Sequence, residues 1–155
     1  MARFTVNNRM VGTQQPNTTT FKSQVVLTAA ATPLGRGSLV DVSLGPDGAP
    51  NATDCQIVYD LSRCTTAGTG TAATPNPLDN QVGAAVSAAT VNCTAEPTVA
   101  AAANLYTVAL NQRSSLRVFF DQGMRWPSTA NAGIAARSLS PTYAANTLIN
   151  TIFDE

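Results

Sequence analysis

The feature that most constrains this chain is a period of two. In Ser38-Leu39-Val40-Asp41-Val42-Ser43-Leu44, residues Leu39, Asp41 and Ser43 alternate with Val40, Val42 and Leu44. In Gln56-Ile57-Val58-Tyr59-Asp60-Leu61, the apolar set Ile57, Tyr59 and Leu61 alternates with Gln56, Val58 and Asp60. The same spacing returns further along, where Leu105, Thr107 and Ala109 oppose Tyr106, Val108 and Leu110. A two-residue period puts alternate side chains on opposite faces of an extended backbone, so these segments are strands with one covered face. Phe21–Ala30, "SSLRVFFDQ", "GMRWPS", "AGIAARSLS" and "NTLINTIFDE" carry related patterns. Roughly eight short strands predict an all-β protein, a β-sandwich for which a jelly roll is one candidate connectivity. At 155 residues the chain can bury a core as one domain.

Turn chemistry divides the strands. Gly45-Pro46-Asp47-Gly48 predicts a tight reversal, and Asp121-Gln122-Gly123 predicts a turn that closes a meander of the neighbouring strands. Residues 1–20 are polar and interrupted by Pro16, which predicts an extended N-terminal arm ahead of a single domain over 21–155. Only "LDNQVGAAVSAA", with Asp79 as a cap, offers a short helix. "VNCTAEPTVAAA" is expected to be a connector.

The stretch from Arg63 to Asp79 has no charge between its ends and is built from Thr, Ala and Gly. Thr is β-branched and favours extended backbone, whereas flexible linkers are rich in Gly and Ser. Thr65–Thr74 is therefore expected to be an ordered excursion, halted at Pro75 and Pro77, that takes backbone hydrogen bonds from an adjacent chain.

Composition bears on function by what it removes. There is no histidine, hence neither the commonest general base nor the commonest metal ligand. The nine carboxylates fall mostly at turns and strand ends rather than in pairs, and Gly68-Thr69-Gly70 lacks the lysine of a phosphate loop. The three cysteines make no CxxC pair, so no cofactor or metal site is expected; they are either free thiols or include a Cys55–Cys64 bridge. Nine cations balance nine acids with no run of like charge, which gives nucleic acid no footprint, and no apolar run approaches the roughly 18 residues of a membrane span. "MARFTVNNRM" lacks the apolar stretch of an export signal. Charged residues make up 12% of the chain, too few to shield a free surface, and eight of the nine cations are Arg, which suits contacts between proteins. The candidates for such contacts are Arg3, Phe4 and Arg9 in the arm, then Arg63, Thr65, Thr66, Thr69 and Thr71 in the neutral stretch. Arg113, Arg117, Arg125 and Trp126 follow in "LNQRSSLRVFF" and "MRWPST".

"MARFTVNNR", "VYDLSRCTTAGTGTAATPNPLD", "NCTAEPT", "LNQRSSLRV", "RWPST" and the ending "FDE", taken in order, resemble a family of small virion proteins of tailed bacteriophages of the capsid decoration, or cement, type. The resemblance implies a non-enzymatic β-rich protein on the outer surface of the capsid. Its partners would be the major capsid protein and its own copies, as a homotrimer bridging neighbouring capsomers. A small coat, head-fibre or tail subunit is the alternative within virions, and a carbohydrate-binding β-sandwich the alternative outside them.

Overall fold

A computed structural model describes all of residues 1–155. Eleven strands follow in order: β1 Arg3–Asn7, β2 Lys22–Thr28, β3 Ser38–Asp47, β4 Gln56–Cys64, β5 Thr69–Ala73, β6 Asn76–Pro77, β7 Ala88–Ala95, β8 Val99–Asn111, β9 Leu116–Arg125, β10 Gly133–Leu139 and β11 Asn146–Asp154. One sheet has the order β6-β1-β11-β3-β9 and the other β5-β7-β2-β10-β4-β8. All the pairings between strands are antiparallel.

The two sheets face each other across one core. Alternate residues of each strand point into it: Phe4 and Val6 from β1, Val25 and Leu27 from β2, Val42 and Leu44 from β3, and Ile57, Tyr59 and Leu61 from β4. With β5–β7 set aside as an insertion, each successive strand crosses to the opposite sheet, except at the β4 to β8 step. The remaining four-stranded layers are β1-β11-β3-β9 and β2-β10-β4-β8. This is the connectivity of a jelly roll, two Greek keys wound into a sandwich.

The period of two holds where the register is unbroken and fails at bulges. Between Leu39 and Asp41 the β3–β9 register shifts: Leu39 pairs with Met124 and Asp41 with Phe119. Leu39 therefore shares the core with Val42 and Leu44, though the plain alternation sets Leu39 opposite to them. The extra residues on β9 form an irregular bend in which Gly123 has φ +63°, a backbone conformation that favours glycine. Asp121-Gln122-Gly123 is thus a bulge inside one strand, not a turn between two. The expected meander is likewise corrected: β8 and β9 lie in different sheets, because the chain crosses the sandwich between Gln112 and Ser115 and both strands turn their apolar faces to the same core.

Three more expectations change. Gly45-Pro46-Asp47 continues β3, with Pro46 opposite Thr147. The β9 pairing ends at Leu44, so the side of Pro46 that lacks an N–H donor faces an open edge. Residues 78–87 form turns rather than a helix. Asp79 does cap, accepting the Gln81 N–H at 2.9 Å, but its turn closes once, Val82 N to Asp79 O at 3.1 Å, and the Glu155 carboxylate then takes the N–H groups of Val86 and Ser87. Small Ala side chains and Gly83 give a helix too little apolar surface to bury. "VNCTAEPTVAAA" is mostly strand, β7 pairing with β2 and β5 and β8 with β4, and only the Glu96-Pro97 step interrupts it.

Residues 1–20 are not a free arm. β1 lies between β6 and β11, with Phe4 opposite Phe153 and Val6 opposite Thr151. The segment that follows is held by side chains: buried Asn8 donates to the Thr147 carbonyl at 2.7 Å, and Asn92 donates to the carbonyls of Asn8 and Val11 at 2.9 and 3.0 Å. Polar residues replaced the apolar signal here, because amide side chains satisfy the backbone of an irregular segment. Removal of residues 1–7 should therefore abolish cooperative thermal unfolding, and Phe4→Ala alone should cost about 3–5 kcal/mol in urea denaturation. A truncated chain that melts like the full one would contradict this role for β1.

Candidate functional site

The surface candidates separate by what already occupies them. Arg3 donates to both carboxylate oxygens of Asp154, at 2.6 and 2.9 Å. Arg9 meets Asp47 at 3.3 Å, Arg113 meets Asp54 at 2.9 Å, and Arg117 brackets Asp41. The hydrogen bonds from Arg113 and then Gln112 hold the Asp54 carboxyl below its ordinary range. Only the Arg113–Asp54 pair is exposed on both sides, and each of the four consumes the guanidinium's preferred partner.

Phe4 and Trp126 are not surface contacts. Phe4 stacks on Phe153 with ring centroids 5.6 Å apart, and Trp126 tilts against the other side of the core at 5.6 Å from the same ring. Trp126 is fully buried, its backbone N–H donates to the Gly37 carbonyl at 3.1 Å, and a Cβ on Gly37 would run into the indole. So buried, Trp126 offers no ring face to a ligand. Phe119, on the outer face of β9, is the exposed aromatic instead, at 63%.

The neutral threonine stretch is ordered, but it folds onto its own domain. Thr65 N donates to Thr98 O at 2.9 Å, Thr98 N to the Thr66 hydroxyl at 2.7 Å, and β5 pairs with β7 so that Thr69 faces Ala95 and Thr71 faces Val91. The expected donors from an adjacent chain are thus residues of the same chain, 30 positions or so later. Beneath this cover lies a second small apolar cluster, Val26, Cys64, Cys93 and Ala135, on the face of β2 opposite to Val25 and Leu27. All three cysteines are free, which settles the bridge against Cys55–Cys64. Burial pushes the Cys64 thiol up to about 11 and the Cys93 thiol to about 12, so both stay protonated.

On that same outer face, Asp60 forms the most enclosed charge. Arg137 and Ser62 approach one carboxylate oxygen, Asn104 and Thr107 the other, and Phe21 stacks over the Arg137 guanidinium at 4.5 Å. Burial opposes ionisation, but the donors from Ser62, Arg137, Asn104 and Thr107 together outweigh it and hold the Asp60 carboxyl below its ordinary value. Plain alternation along β10, with Ile134 and Ala136 in the core, sets Arg137 on this face; the register shift against β2 leaves Gln24 as the extra residue. No three Cys, Asp or Glu side chains gather in a way that could hold a metal ion.

Two features remain unoccupied. The first is the outer edge of β8. The other edges are protected in familiar ways: β6 is two residues long and includes Pro77, β5 is five residues long with a register shift, and β9 carries Arg117, Asp121 and Arg125. β8 runs for 13 residues without a charge or a proline, none of them fully buried; bulges break its first half, and Tyr106–Asn111 pairs with β4 in unbroken register. The second is a pair of open depressions at the end of the sandwich that holds both chain ends. One, of about 430 Å³, is lined by Arg36 and Arg125; the other, of about 540 Å³, by Arg63 and Arg125; Gln122 and Gly123 line both. Sequence reasoning singled out Arg63 and Arg125 but missed Arg36, which lies in a Gly- and Pro-rich loop without periodicity. Compared with protein-family models, curated proteins and solved structures, the chain matches none.

Two measurements check this geometry. Under native conditions a thiol-alkylating reagent should modify Cys55 and spare Cys64 and Cys93, all three reacting once the protein is denatured; early labelling of Cys93 would contradict the burial. Asp60 has a depressed folded pKa, so its stabilisation is fully present above the unfolded value of 3.8 and is lost as pH falls through the folded value. Asp60→Asn should therefore destabilise strongly at pH 7 and much less at pH 2, read by urea denaturation at both.

Proposed function

We propose that this protein is a structural virion component that binds the outside of a phage capsid and stabilises the shell by bridging neighbouring capsomers, as a capsid decoration protein. The observation that carries the reading is the bare edge of β8. A soluble monomer normally blunts a long edge with charge, proline or a short strand, because unpaired N–H and C=O groups invite pairing with another chain. β8 has neither charge nor proline, and its bulges lie in the first half, before Tyr106, so Tyr106–Asn111 keeps a regular bare edge while each of the three other edges is short or charged. Strand addition along β8 would satisfy those groups and would cover side chains that now stay half-exposed, including Tyr106, Val108 and Leu110.

Low surface charge supports the same reading. Six of nine cations are already paired with acids of the same chain, which leaves little repulsion between copies and little attraction for packaged nucleic acid. The sequence resemblance to capsid decoration proteins supplies the location, and homotrimers would fit local three-fold positions of a shell. A second reading, a small coat subunit, draws on the jelly-roll connectivity, an architecture shared by viral capsid and lectin domains.

The test is sizing by light scattering together with co-sedimentation on undecorated phage heads. A trimer and saturable binding to heads are expected. Ala109→Lys, at an exposed β8 position, should leave the melting temperature within a few degrees and abolish the self-association. A chain that is monomeric at high micromolar concentration and ignores heads would overturn the reading; closed shells formed by the chain alone would favour the coat subunit.

A further inference from the structure

Six of the nine cations of this protein are paired with acids, and the three left over gather in one place. Arg3, Arg9, Lys22, Arg113, Arg117 and Arg137 each meet a carboxylate. The three remaining cations are Arg36, Arg63 and Arg125, and they line the two adjoining depressions at the end of the sandwich. Three unpaired cations scattered at random over the surface would not be expected to share one groove.

The fold brings them together from distant positions. Arg125 ends β9 and sits opposite Ser38, two residues after Arg36. Arg63, near the end of β4 in the other sheet, donates Nη1 to the Arg125 carbonyl at 2.9 Å, which holds its guanidinium at the mouth and leaves its other N–H groups free. Gly123 has no side chain to fill the space between the two depressions, which Gln122 and Arg125 also line. Leu105 and Met124 add apolar surface at the Arg63 end, and Val40 at the Arg36 end.

The acids nearby do not neutralise this set. Asp154 is held by Arg3, and the Glu155 side chain by the N–H groups of Val86 and Ser87, at 2.5 and 2.9 Å. Asp121 and Glu155 both line the groove without a cationic partner, Glu155 with its carboxylate turned to the Val86 and Ser87 N–H groups. Three guanidinium groups, none in an ion pair, share the groove with two carboxylates, one of them engaged by backbone N–H groups, so one positive charge is left in excess.

We propose that the groove running from Arg36 across Arg125 to Arg63 is a docking site for a carboxylate-rich segment of another protein, with apolar side chains between the acids. Guanidinium groups take carboxylates through two parallel hydrogen bonds, and the apolar patches at both ends suit interleaved leucine-like side chains. A second copy of this chain is a poor donor. Its only acid outside both an ion pair and this same end of the groove is Asp79, and Asp79 already caps Gln81. Nucleic acid is a poor occupant too, since three cations beside Asp121 offer a short site and no track for successive phosphates. In the capsid role proposed above, the segment would belong to the shell protein; the groove itself does not depend on that role.

The experiment uses the full chain and a short fluorescein-labelled peptide alternating glutamate with leucine, with its glutamine counterpart as control, followed by fluorescence anisotropy. The glutamate peptide should bind with an affinity that weakens as salt is added, and the glutamine peptide should not. Arg36→Gln with Arg125→Gln should weaken binding at least about tenfold, roughly 1.4 kcal/mol. Arg9→Gln with Arg113→Gln removes the same net charge from ion pairs elsewhere and should change it less than about twofold. Melting curves should show both double variants folded. Equal losses in the two variants, absence of binding by the glutamate peptide, or displacement by inorganic phosphate or a single-stranded oligonucleotide as effectively as by unlabelled glutamate peptide would each overturn the proposal. Peptide binding without binding to heads would leave the groove standing and remove the capsid role, whereas the reverse would remove the groove alone.

Discussion

The stacking of the first strand on the last holds this sandwich together. Phe4 of β1 lies on Phe153 of β11, and Trp126, delivered by the loop after β9, closes against the same ring. These are among the largest fully buried side chains in a protein whose composition is dominated by alanine and threonine. Small side chains bury little area apiece, so a few aromatics carry a disproportionate share of the core. Gly37 and the bulge of β9 are consequences of that stack. The glycine makes room for the indole, and the bulge lets Leu39 and Met124 keep facing inward past it.

Outside the core, the molecule relies on satisfied polar groups instead of many charges. Asp60 ionises on the outer face of a sheet because four neighbouring side chains direct donors at it. Asn8, Gln24, Asn92 and Gln112 do comparable work for irregular backbone by bonding carbonyls and amides of segments far away in sequence. A buried polar group with its partners in place costs little and fixes one arrangement, while the same group unpaired would be expensive. A thinly charged surface therefore coexists with a well-determined fold, and the free cations stand out against it.

How much of this was legible depended on contrast in the sequence. β4 and β11 are legible because large apolar residues alternate with polar ones there. β5 shows as extended through its threonines but not which strand it joins, and β7 does not show, since Ala and Thr differ too little from one face to the other; the same blandness makes residues 78–89 look helical. β1 resembles an arm because only Phe4 and Val6 announce it, and Trp126 beside Arg125 suits a core anchor or a contact equally in sequence, so that only its burial decides between them. Of the candidate cations, Arg63 and Arg125 are in no ion pair. Arg3, Arg9, Arg113 and Arg117 proved to have partners up to 151 residues away, a separation that spacing cannot reveal.

By itself, the sequence determined that the backbone would be extended, that it would bury one face of most strands, and that histidine chemistry was closed to it; each follows from side-chain period and identity, which are local. Only the tertiary structure decided which sheet each strand joins, where bulges turn a residue from one face to the other, which edge stays bare, and which three of nine cations lack an acid. Those outcomes depend on which distant segments come into contact, and strand pairing and charge pairing are both settled across the chain rather than along it.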